Sequence, residues 1–406
     1  MIPHLTRRAV LAGAAALTCS PVLGQTAPPA GAPAPGGAGP GHGGAGPGCA
    51  ACGTPVVVTP DFQVDPFWPK ALPNNWIVGQ VAGVAVDKRD HIWIVHRPAS
   101  IAQRQLLAER TPPETECCVR APAVLVFDTA GNLLRHWGGP GQGYEWPETE
   151  HGIYVDANDN VWLAGSGERD HQILKFTLDG RFIMQIGRAG QSRGNDDTQN
   201  LNRPADVEVD PQARELFVAD GYGNRRVIVF DSETGAYKRH WGAYGERPLD
   251  GGDPAYGPTS PYNPNGPRSR QFARPVHCVR LTRDGLVYVC DRVNDRYQIF
   301  RRDGTFVSEH LIAPQTRLNG SVADLVPSPD PEQRFLYQVD NSNGVARVIR
   351  RSDGEILSTF GRAGRQAGQF HVPHNVAVDS QGSLYITEVD TGQRVQRFRR
   401  LDQQPR

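Results

Sequence analysis

Short runs of alternating apolar and polar residues recur along this chain, separated by turns rich in glycine, aspartate and asparagine. Three such runs follow one another late in the sequence, at residues 370–379, 382–388 and 394–398. Alternation with a period of two residues predicts half-buried strands, and the tight turns between the runs predict antiparallel pairing. This stretch therefore predicts most of one small β-sheet.

The same pattern of paired strands occurs six times along the chain. The first strands of the six units include residues 83–87, 152–156, 206–210, 278–281, 323–326 and 374–379. Repeats of about 40 to 50 residues with about four strands each are the signature of a β-propeller. The sequence thus predicts an all-β, six-bladed propeller. The isolated apolar run 61–68 has no local partner, so we expect it to complete the last blade and close the ring.

The composition of the chain limits the kinds of partner that it is expected to bind. The 406 residues include 43 basic and 43 acidic side chains, which gives a formal net charge of zero. Binding to nucleic acid needs a clear basic excess, so a nucleic-acid partner is not expected. No apolar run reaches the roughly 18 residues of a membrane span, so no transmembrane segment is expected. The oligomeric state and the natural substrate stay open.

The first residues have the pattern of an export signal. Arg7 and Arg8 precede a weakly apolar, alanine-rich run, and small residues near position 24 offer a cleavage site. This pattern predicts a twin-arginine signal at 1–24, with an ordinary secretory signal as the alternative, and hence a periplasmic or secreted protein. Residues 25–53 are mostly glycine, alanine and proline and predict a flexible spacer, with the propeller occupying 54–406.

The cysteines fit an oxidising compartment. Cys278 and Cys290 lie on two strands on either side of one turn, so we expect a cross-strand disulfide. A second group consists of Cys49, Cys52 and the adjacent pair Cys117-Cys118. These four could bridge the spacer to the first unit, or they could form a four-thiolate zinc site.

Three histidines hold one register position in alternate units. His151 and His374 each lie five residues before the aspartate that ends a first strand, and His277 lies five before Thr282 at the same place. First strands of a propeller line its central channel, so residues from every second blade converge from three sides. Three imidazoles with an open position are the ligand set of a catalytic zinc. A lone histidine is usually a hydrogen-bonded residue, but three at one register favour a metal site.

Several short motifs occur in order between residues 78 and 398. They are His96-Arg97, His151-Gly152-Ile153, Asp220-Gly221-Tyr222, Asp291-Arg292-Val293-Asn294 and Pro373-His374-Asn375. With these motifs the chain resembles the lyase domain of peptidylglycine α-amidating enzymes, within the wider class of NHL-repeat propellers. NHL repeats alone say little about function, so the histidines and the motifs at Arg97 and Tyr222 carry the resemblance.

The resemblance implies an activity and a set of residue roles. Enzymes of that family cleave a peptidyl-α-hydroxyglycine to a peptide amide and glyoxylate, so the implied partner is a peptide or small molecule with an α-hydroxylated amide. Carried over, the three histidines hold zinc, Tyr222 is the base, and Arg97 anchors or polarises the substrate. Breaking the C–N bond requires removal of the hydroxyl proton, and a guanidinium fork fits a carboxylate. Taken singly, Tyr222 also fits a turn aromatic and Arg97 a structural ion-pair partner.

The resemblance also implies a bound calcium, but the chain departs from the family at this point. The implied donors are the carbonyls of Val81 and Ile153 and the side chain of Asn375, where the family has an aspartate. Asparagine offers a neutral oxygen, so the site loses one negative charge. Val372 stands where the family has a methionine near zinc. His277 is displaced by one residue from its preceding proline, which requires a local bulge.

Two other functions fit such a propeller. A non-enzymatic NHL-repeat propeller would act as a protein-binding scaffold in the periplasm, with the glycine-rich spacer as its tether. A hydrolase of the calcium lactonase type would use carboxylates and asparagines facing the channel, whereas histidines hold those positions here. The lyase is therefore the favoured hypothesis and the scaffold the main alternative.

Overall fold

The computed structural model describes residues 58–251 and 262–401. Within the compact unit that spans Val57–Arg406, these residues form six four-stranded antiparallel sheets and one two-stranded ribbon. This architecture is the predicted six-bladed β-propeller. The predicted export signal at 1–24 and the spacer at 25–53, with Cys49 and Cys52, lie outside the described residues.

Each blade runs outward from the channel, and the first strands of neighbouring blades contact one another around the ring. Blade 1 comprises Gln80–Val86, Ile92–Arg97, Val124–Phe127 and Leu133–Trp137, and blade 2 comprises Glu150–Val155, Asn160–Gly165, Gln172–Thr177 and Phe182–Gly187. Blade 3 comprises Asp206–Asp210, Glu215–Asp220, Arg226–Asp231 and Tyr237–Trp241, and blade 4 comprises Val276–Leu281, Leu286–Asp291, Arg296–Arg301 and Phe306–Leu311. Blade 5 comprises Asp324–Pro327, Phe335–Asp340, Val345–Arg350 and Ile356–Phe360, and blade 6 comprises Pro373–Val378, Leu384–Glu388, Arg394–Arg400 and Phe62–Asp65.

The ring closes as the sequence predicts. The strand Phe62–Asp65 pairs antiparallel with Arg394–Arg400, and Phe62 lies opposite Arg400. It thereby supplies the fourth strand of blade 6, whose other three strands come from the last repeat. Closure in this way pairs the outer edge of strand Arg394–Arg400, which would otherwise be free to pair with another chain.

Apolar side chains pack between the blades and hold the ring together. Six buried clusters lie among the described residues, and each joins residues of two neighbouring blades. Trp93 of blade 1 packs against blade 2 in this way, and Trp162 of blade 2 packs against blade 3; both side chains are fully buried. Burial of aromatic rings at every blade interface makes the propeller one continuous core.

The aspartate that ends a first strand fixes the turn that follows it. In blade 2, Asp156 accepts backbone hydrogen bonds from that turn and a bond of 2.9 Å from Nε1 of Trp162. In blade 6, Asp379 accepts from its own turn and from the hydroxyl of Tyr385 at 3.0 Å. The recurring aspartate therefore ties the turn between strands to a buried ring six residues later.

Long connections leave the regular blades after the second strand of blade 1 and after blade 3. The insertion after the second strand of blade 1 contains three short 3-10 helices, Pro98–Ser100, Gln103–Gln105 and Leu107–Glu109. Its strand Val119–Arg120 pairs in parallel with Trp76–Ile77. Two more 3-10 helices are Ala243–Gly245 and Arg292–Asn294. Among the helices that the structure describes, none is long and apolar enough to cross a membrane.

The cysteines correct one prediction and confirm another. Cys117 and Cys118 are joined to each other, so this pair neither bridges to the spacer nor offers thiolates to zinc. The sequence left a bridge to the spacer and a zinc site open as alternatives, because spacing along the chain cannot tell a pairing of neighbours from a pairing across the fold. Cys278 and Cys290 face each other across the first two strands of blade 4 and form the predicted disulfide.

We expect loss of the Cys278–Cys290 disulfide to lower the stability of blade 4. The two residues are 12 positions apart, and closing a loop of this size stabilises a protein by about 3 kcal/mol. The double variant Cys278→Ala/Cys290→Ala should lower the free energy of unfolding in urea by that amount. Cys117→Ala/Cys118→Ala is the matched control, since a bond between neighbours closes almost no loop. Equal losses in both variants would contradict this expectation.

Candidate metal centre

The three predicted histidines lie in β-bulges at the channel. The pairing of first and second strands shifts register between Glu150 and Ile153, between Val276 and Cys278, and between Pro373 and Val376. Each shift contains one of the histidines. The bulge expected at His277 is therefore present, and it is shared by the other two histidine blades. Bulges re-aim side chains, which here turns the imidazoles toward the centre of the ring.

The imidazoles are anchored through the same nitrogen. Each Nδ1 donates to an alanine carbonyl of the following blade: His151 to Ala205 at 2.7 Å, His277 to Ala323 at 2.6 Å and His374 to Ala82 at 2.8 Å. A carbonyl oxygen can only accept, so Nδ1 carries the proton in all three rings. Every Nε2 consequently presents a lone pair, as metal-binding histidines with an oriented outer partner do.

These lone pairs face one another in a buried cluster. One ligand nitrogen from each ring lies within 4.8 Å of the others, and Nε2 of His277 is 3.2 Å from Nε2 of His374. The three side chains are at most 3% exposed. Burial lowers the pKa of His151 and His277 well below the usual value. It lowers the pKa of His374 to about 3, with Arg97 and Arg292 contributing. The imidazoles are therefore neutral at physiological pH and fit a divalent metal ion.

Tyr222 reaches the same cluster from blade 3. Its hydroxyl lies 3.0 Å from Nε2 of His151 and 3.2 Å from Nε2 of His277. The turn that carries it passes so close to the backbone of Val276 that a side chain at position 221 would collide with it, which explains Gly221. The sequence-predicted base thus lies within hydrogen-bond distance of two of the three predicted ligands.

Arg97 lies beside the cluster at the end of the second strand of blade 1. Its Nε donates to the Glu150 carbonyl at 2.8 Å, and its Nη1 donates to Oε1 of Gln80 at 2.7 Å. Burial lowers the pKa of Arg97, while nearby Tyr222 and Glu150 raise it. No described residue accepts a hydrogen bond from its Nη2. The guanidinium is therefore held in place with one side still available.

Arg292 is a site residue that the sequence reasoning missed. It is 9% exposed, and its Nη1 donates to the Tyr222 hydroxyl at 3.4 Å. Counted from the bulge of each first strand, Arg292 in blade 4 holds the same position as Arg97 in blade 1. Blades 1 and 4 are opposite in a ring of six. Aligning blades 1 and 4 in the register that aligns the histidines would have identified this second arginine from the sequence.

His96, which precedes Arg97, is a structural histidine. Its Nδ1 accepts from the Gly79 amide at 3.2 Å, and its Nε2 donates to the Pro122 carbonyl at 3.0 Å. Both ring nitrogens are thus occupied by backbone partners. Burial lowers the pKa of His96 to about 4, so the ring is neutral. This ring has no free lone pair to offer a metal.

The predicted calcium donors lie beside the bulges of blades 1, 2 and 6. Val81 and Ile153 are buried, and so is Asn375. Nδ2 of Asn375 donates to Oδ2 of Asp324 at 3.0 Å, while its Oδ1 is buried with no partner among the described residues. A buried acceptor without a partner is costly, and a cation would satisfy it.

A buried guanidinium, which sequence reasoning also missed, joins the first strands of blades 3, 4 and 5. Arg280 of blade 4 pairs with Asp206 of blade 3 and with Asp324 of blade 5, the latter through two bonds of 2.9 Å. The nearest signal in the sequence was an arginine at a channel-facing position of an otherwise apolar strand. Because Asp324 also accepts from Asn375, this network links four consecutive blades at the axis.

Glu208 faces the same part of the channel. It lines a cavity of about 210 Å³ together with Asp206 and Arg280. Burial raises the pKa of Glu208 to about 8 from an ordinary value of 4.5, although Arg280 opposes the rise. The carboxyl is therefore held partly protonated at neutral pH, in contrast to a glutamate on the surface.

We expect Glu208→Gln to stabilise the protein increasingly as the pH rises from about 4.5 to about 8, and not below that range. A carboxyl whose pKa is raised on folding contributes stability below its unfolded pKa of about 4.5, and this contribution is lost as the pH rises through about 8. The amide does not titrate, so the variant should gain about 1–3 kcal/mol over wild type by roughly pH 9. Urea unfolding from acid to alkaline pH measures this, with the exposed Glu332→Gln as control. A difference independent of pH would contradict it.

The chain has relatives among known proteins. No family model matches the chain. Peptidyl-glycine alpha-amidating monooxygenase B of Xenopus laevis is 26% identical over 336 residues, which cover 80% of this chain and 34% of that protein. Peptidyl-alpha-hydroxyglycine alpha-amidating lyase 1 of Drosophila melanogaster is 27% identical over 344 residues, 80% of this chain and 57% of that protein. This chain is similar to the amidating lyases.

The similarity extends to NHL-repeat proteins. NHL repeat-containing protein 3 of Mus musculus is 25% identical over 344 residues, which cover 82% of this chain and 83% of that protein. By contrast, the chain spans about a third of the length of the amidating monooxygenases. A solved streptogramin B lyase matches with a TM-score of 0.50 at 12% identity, over 84% of this chain and 98% of that one. That likeness concerns the propeller fold alone.

Proposed function

We propose that this chain is a zinc-dependent lyase that cleaves the C–N bond of an α-hydroxylated amide and releases glyoxylate and an amide. The observation that carries the proposal is the meeting of unprotonated Nε2 atoms from three blades. Two ligands of a tetrahedral zinc with bonds of about 2.0–2.1 Å are separated by roughly 3.3 Å. The separation of 3.2 Å between His277 and His374 fits that geometry, and without a cation two lone pairs would repel each other.

The residues of the site suit the proton transfers that the reaction needs. A zinc ion held by His151, His277 and His374 would supply Lewis acidity toward the substrate hydroxyl. Tyr222 is positioned to take the hydroxyl proton, and Arg292 donates a hydrogen bond to the Tyr222 oxygen. The bond between the α-carbon and the amide nitrogen then breaks, the hydroxyl carbon becomes the carbonyl of glyoxylate, and the nitrogen receives the proton.

Arg97 is assigned to the carboxylate of the substrate. Its Nε and Nη1 are fixed by Glu150 and Gln80, which leaves Nη2 directed to a further acceptor. Arginine suits planar carboxylates because its donors form a rigid fork. Binding the carboxylate at one fixed point would orient the hydroxyl and the C–N bond toward the histidine cluster.

Calcium belongs to the same proposal, with Val81, Ile153 and Asn375 as donors. The partnerless Oδ1 of Asn375 supports a cation there. The donor set consists of one amide oxygen and two carbonyls, and Asp324, the nearest carboxylate, is already paired with Arg280. Binding should be weaker than at a site with a free carboxylate.

We place the protein outside the cytoplasm, exported by a twin-arginine signal at 1–24 ahead of the spacer at 25–53. Support comes from the arginine pair in the sequence and from the disulfide between Cys278 and Cys290, a bond that forms in oxidising compartments.

The experiment that tests the proposal supplies purified protein with N-benzoyl-α-hydroxyglycine. Equal amounts of benzamide and glyoxylate should form, chelation should stop the reaction, and zinc should restore it. Formation of neither product by metal-loaded protein would overturn the lyase.

The similarity to an NHL-repeat protein, whose name states repeats and no reaction, favours the scaffold as second candidate. A scaffold would keep its partner binding when His151, His277 and His374 are all replaced by alanine.

A further inference from the structure

Three guanidinium groups surround the candidate base without a carboxylate partner. They belong to Arg97, Arg203 and Arg292, and none takes part in an ion pair among the described residues. The guanidinium carbon of Arg203 lies 5.9 Å from the centre of the Tyr222 ring, and that of Arg292 lies 5.7 Å from it. The fully buried Arg226 and Arg296, by contrast, are each paired with an aspartate.

Arg203 is held in a specific orientation. Its backbone has a φ of +60°, which is rare for a residue with a side chain. Its amide donates to the Asp170 carbonyl at 2.7 Å, and its own carbonyl accepts from the Tyr222 amide at 3.1 Å. Nε donates to the Ser166 carbonyl at 2.8 Å, while no described residue accepts from its terminal nitrogens. The guanidinium is therefore held beside Tyr222 with its terminal nitrogens available.

The positive charges of these three arginines are not balanced by ion pairs with described residues. Arg292 is nine-tenths buried, and its Nε has no hydrogen-bond partner. Glu150 binds Arg97 through its backbone carbonyl, but its carboxyl accepts from Nε1 of Trp146 at 2.8 Å and is not paired with an arginine. A buried charge without a counter-charge destabilises the folded protein, so an anion from outside would be bound favourably. The carboxylate of a hydroxyglycine supplies only one negative charge.

We propose that the substrate carries a second carboxylate in its acyl group and that Arg203 binds it. The inference rests on the proposed function, because Arg97 is there assigned to the hydroxyglycine carboxylate. The substrate class is then an N-acyl-α-hydroxyglycine whose acyl chain ends in an acid, such as the half-amide of a dicarboxylic acid. Arg203 is in this role a specificity-determining residue, and Arg292 adds a further positive charge beside Tyr222.

Binding of two compounds that differ only in one carboxylate tests this. N-succinylglycine and N-butyrylglycine share the glycine carboxylate and the chain length, and neither has the hydroxyl that cleavage requires. Calorimetry with metal-loaded protein should give at least tenfold tighter binding of the succinyl compound, the size of effect expected for one well-placed charge pair. In Arg203→Gln the ratio of the two dissociation constants should fall to about 1.

Two further variants complete the test. Arg203→Lys keeps the charge and should keep most of the preference, whereas Arg169→Gln, at an exposed arginine of blade 2, should keep all of it. Equal binding of both compounds by wild type, or an unchanged ratio in Arg203→Gln, would overturn the proposal. Neither compound is cleaved, so their binding can be measured whether or not the protein is a lyase. Tighter binding of the succinyl compound by a protein without lyase activity would support the anion site and refute the proposed reaction. The failure of one proposal can thus be told from the failure of the other.

Discussion

Replacing His277 by alanine is expected to remove the metal and with it the activity. His277 lies 3.2 Å from both Nε2 of His374 and the Tyr222 hydroxyl, so its loss opens the cluster on two sides. Two remaining imidazoles hold zinc far more weakly than three, and the reaction would lose its Lewis acid. We expect glyoxylate release to fall by about 10³-fold or more.

Two measurements on the same preparation check this result. Elemental analysis should give about one zinc per chain in wild type and much less than one in His277→Ala. His136→Ala is the matched control, since that imidazole is exposed on the outer strand of blade 1 and packs on Trp76. Stoichiometric zinc in His277→Ala, or activity close to wild type, would rule out the three-histidine centre.

Tyr222→Phe is expected to lower kcat by about 10²- to 10⁴-fold, the usual contribution of a positioned base. The ring and its packing beside Arg203 and Arg292 are retained, so zinc content should not change. A lower kcat with unchanged zinc content would distinguish a catalytic base from a metal ligand. Steady-state kinetics of glyoxylate release provides the measurement.

The control for this variant is Tyr237→Phe, which removes a hydroxyl from an exposed tyrosine of blade 3. Its kcat should match wild type. A Tyr222→Phe protein with kcat within threefold of wild type would assign the proton transfer to another group. Loss of zinc from Tyr222→Phe would instead make the tyrosine a support for the metal site.

The sequence predicted the fold because its determinants are local and repeated. Aspartates such as Asp156 close their own turns, and the alternation of the following strand decides which side chains are buried. The same repetition made the histidine register visible, since residues at one position in every repeat share one place around the axis. The closing strand at 62–65 was predictable because an apolar run without a local partner needs a distant one.

Pairings between different blades could not be predicted in this way. Arg280 meets Asp206 and Asp324 only because three strands face one channel, and no spacing along the chain encodes that meeting. Nothing in the sequence favoured a disulfide between Cys117 and Cys118 over other pairings, although the two residues are adjacent. Arg203 was missed because it lies two residues before Ala205, the histidine position of blade 3, and a comparison restricted to the histidine position does not reach it.

The closing strand has a consequence for the order of assembly. His374 belongs to the blade that is complete only when Phe62–Asp65 has joined Arg394–Arg400. A partly folded chain in which the first five blades have formed therefore holds two imidazoles of the three. With zinc held as proposed, the three-histidine centre is complete only once blade 6 has taken its place, and a bound ion would in turn resist separation of the two strands. Chelation should accordingly make the seam between these strands the first place at which amide protons exchange.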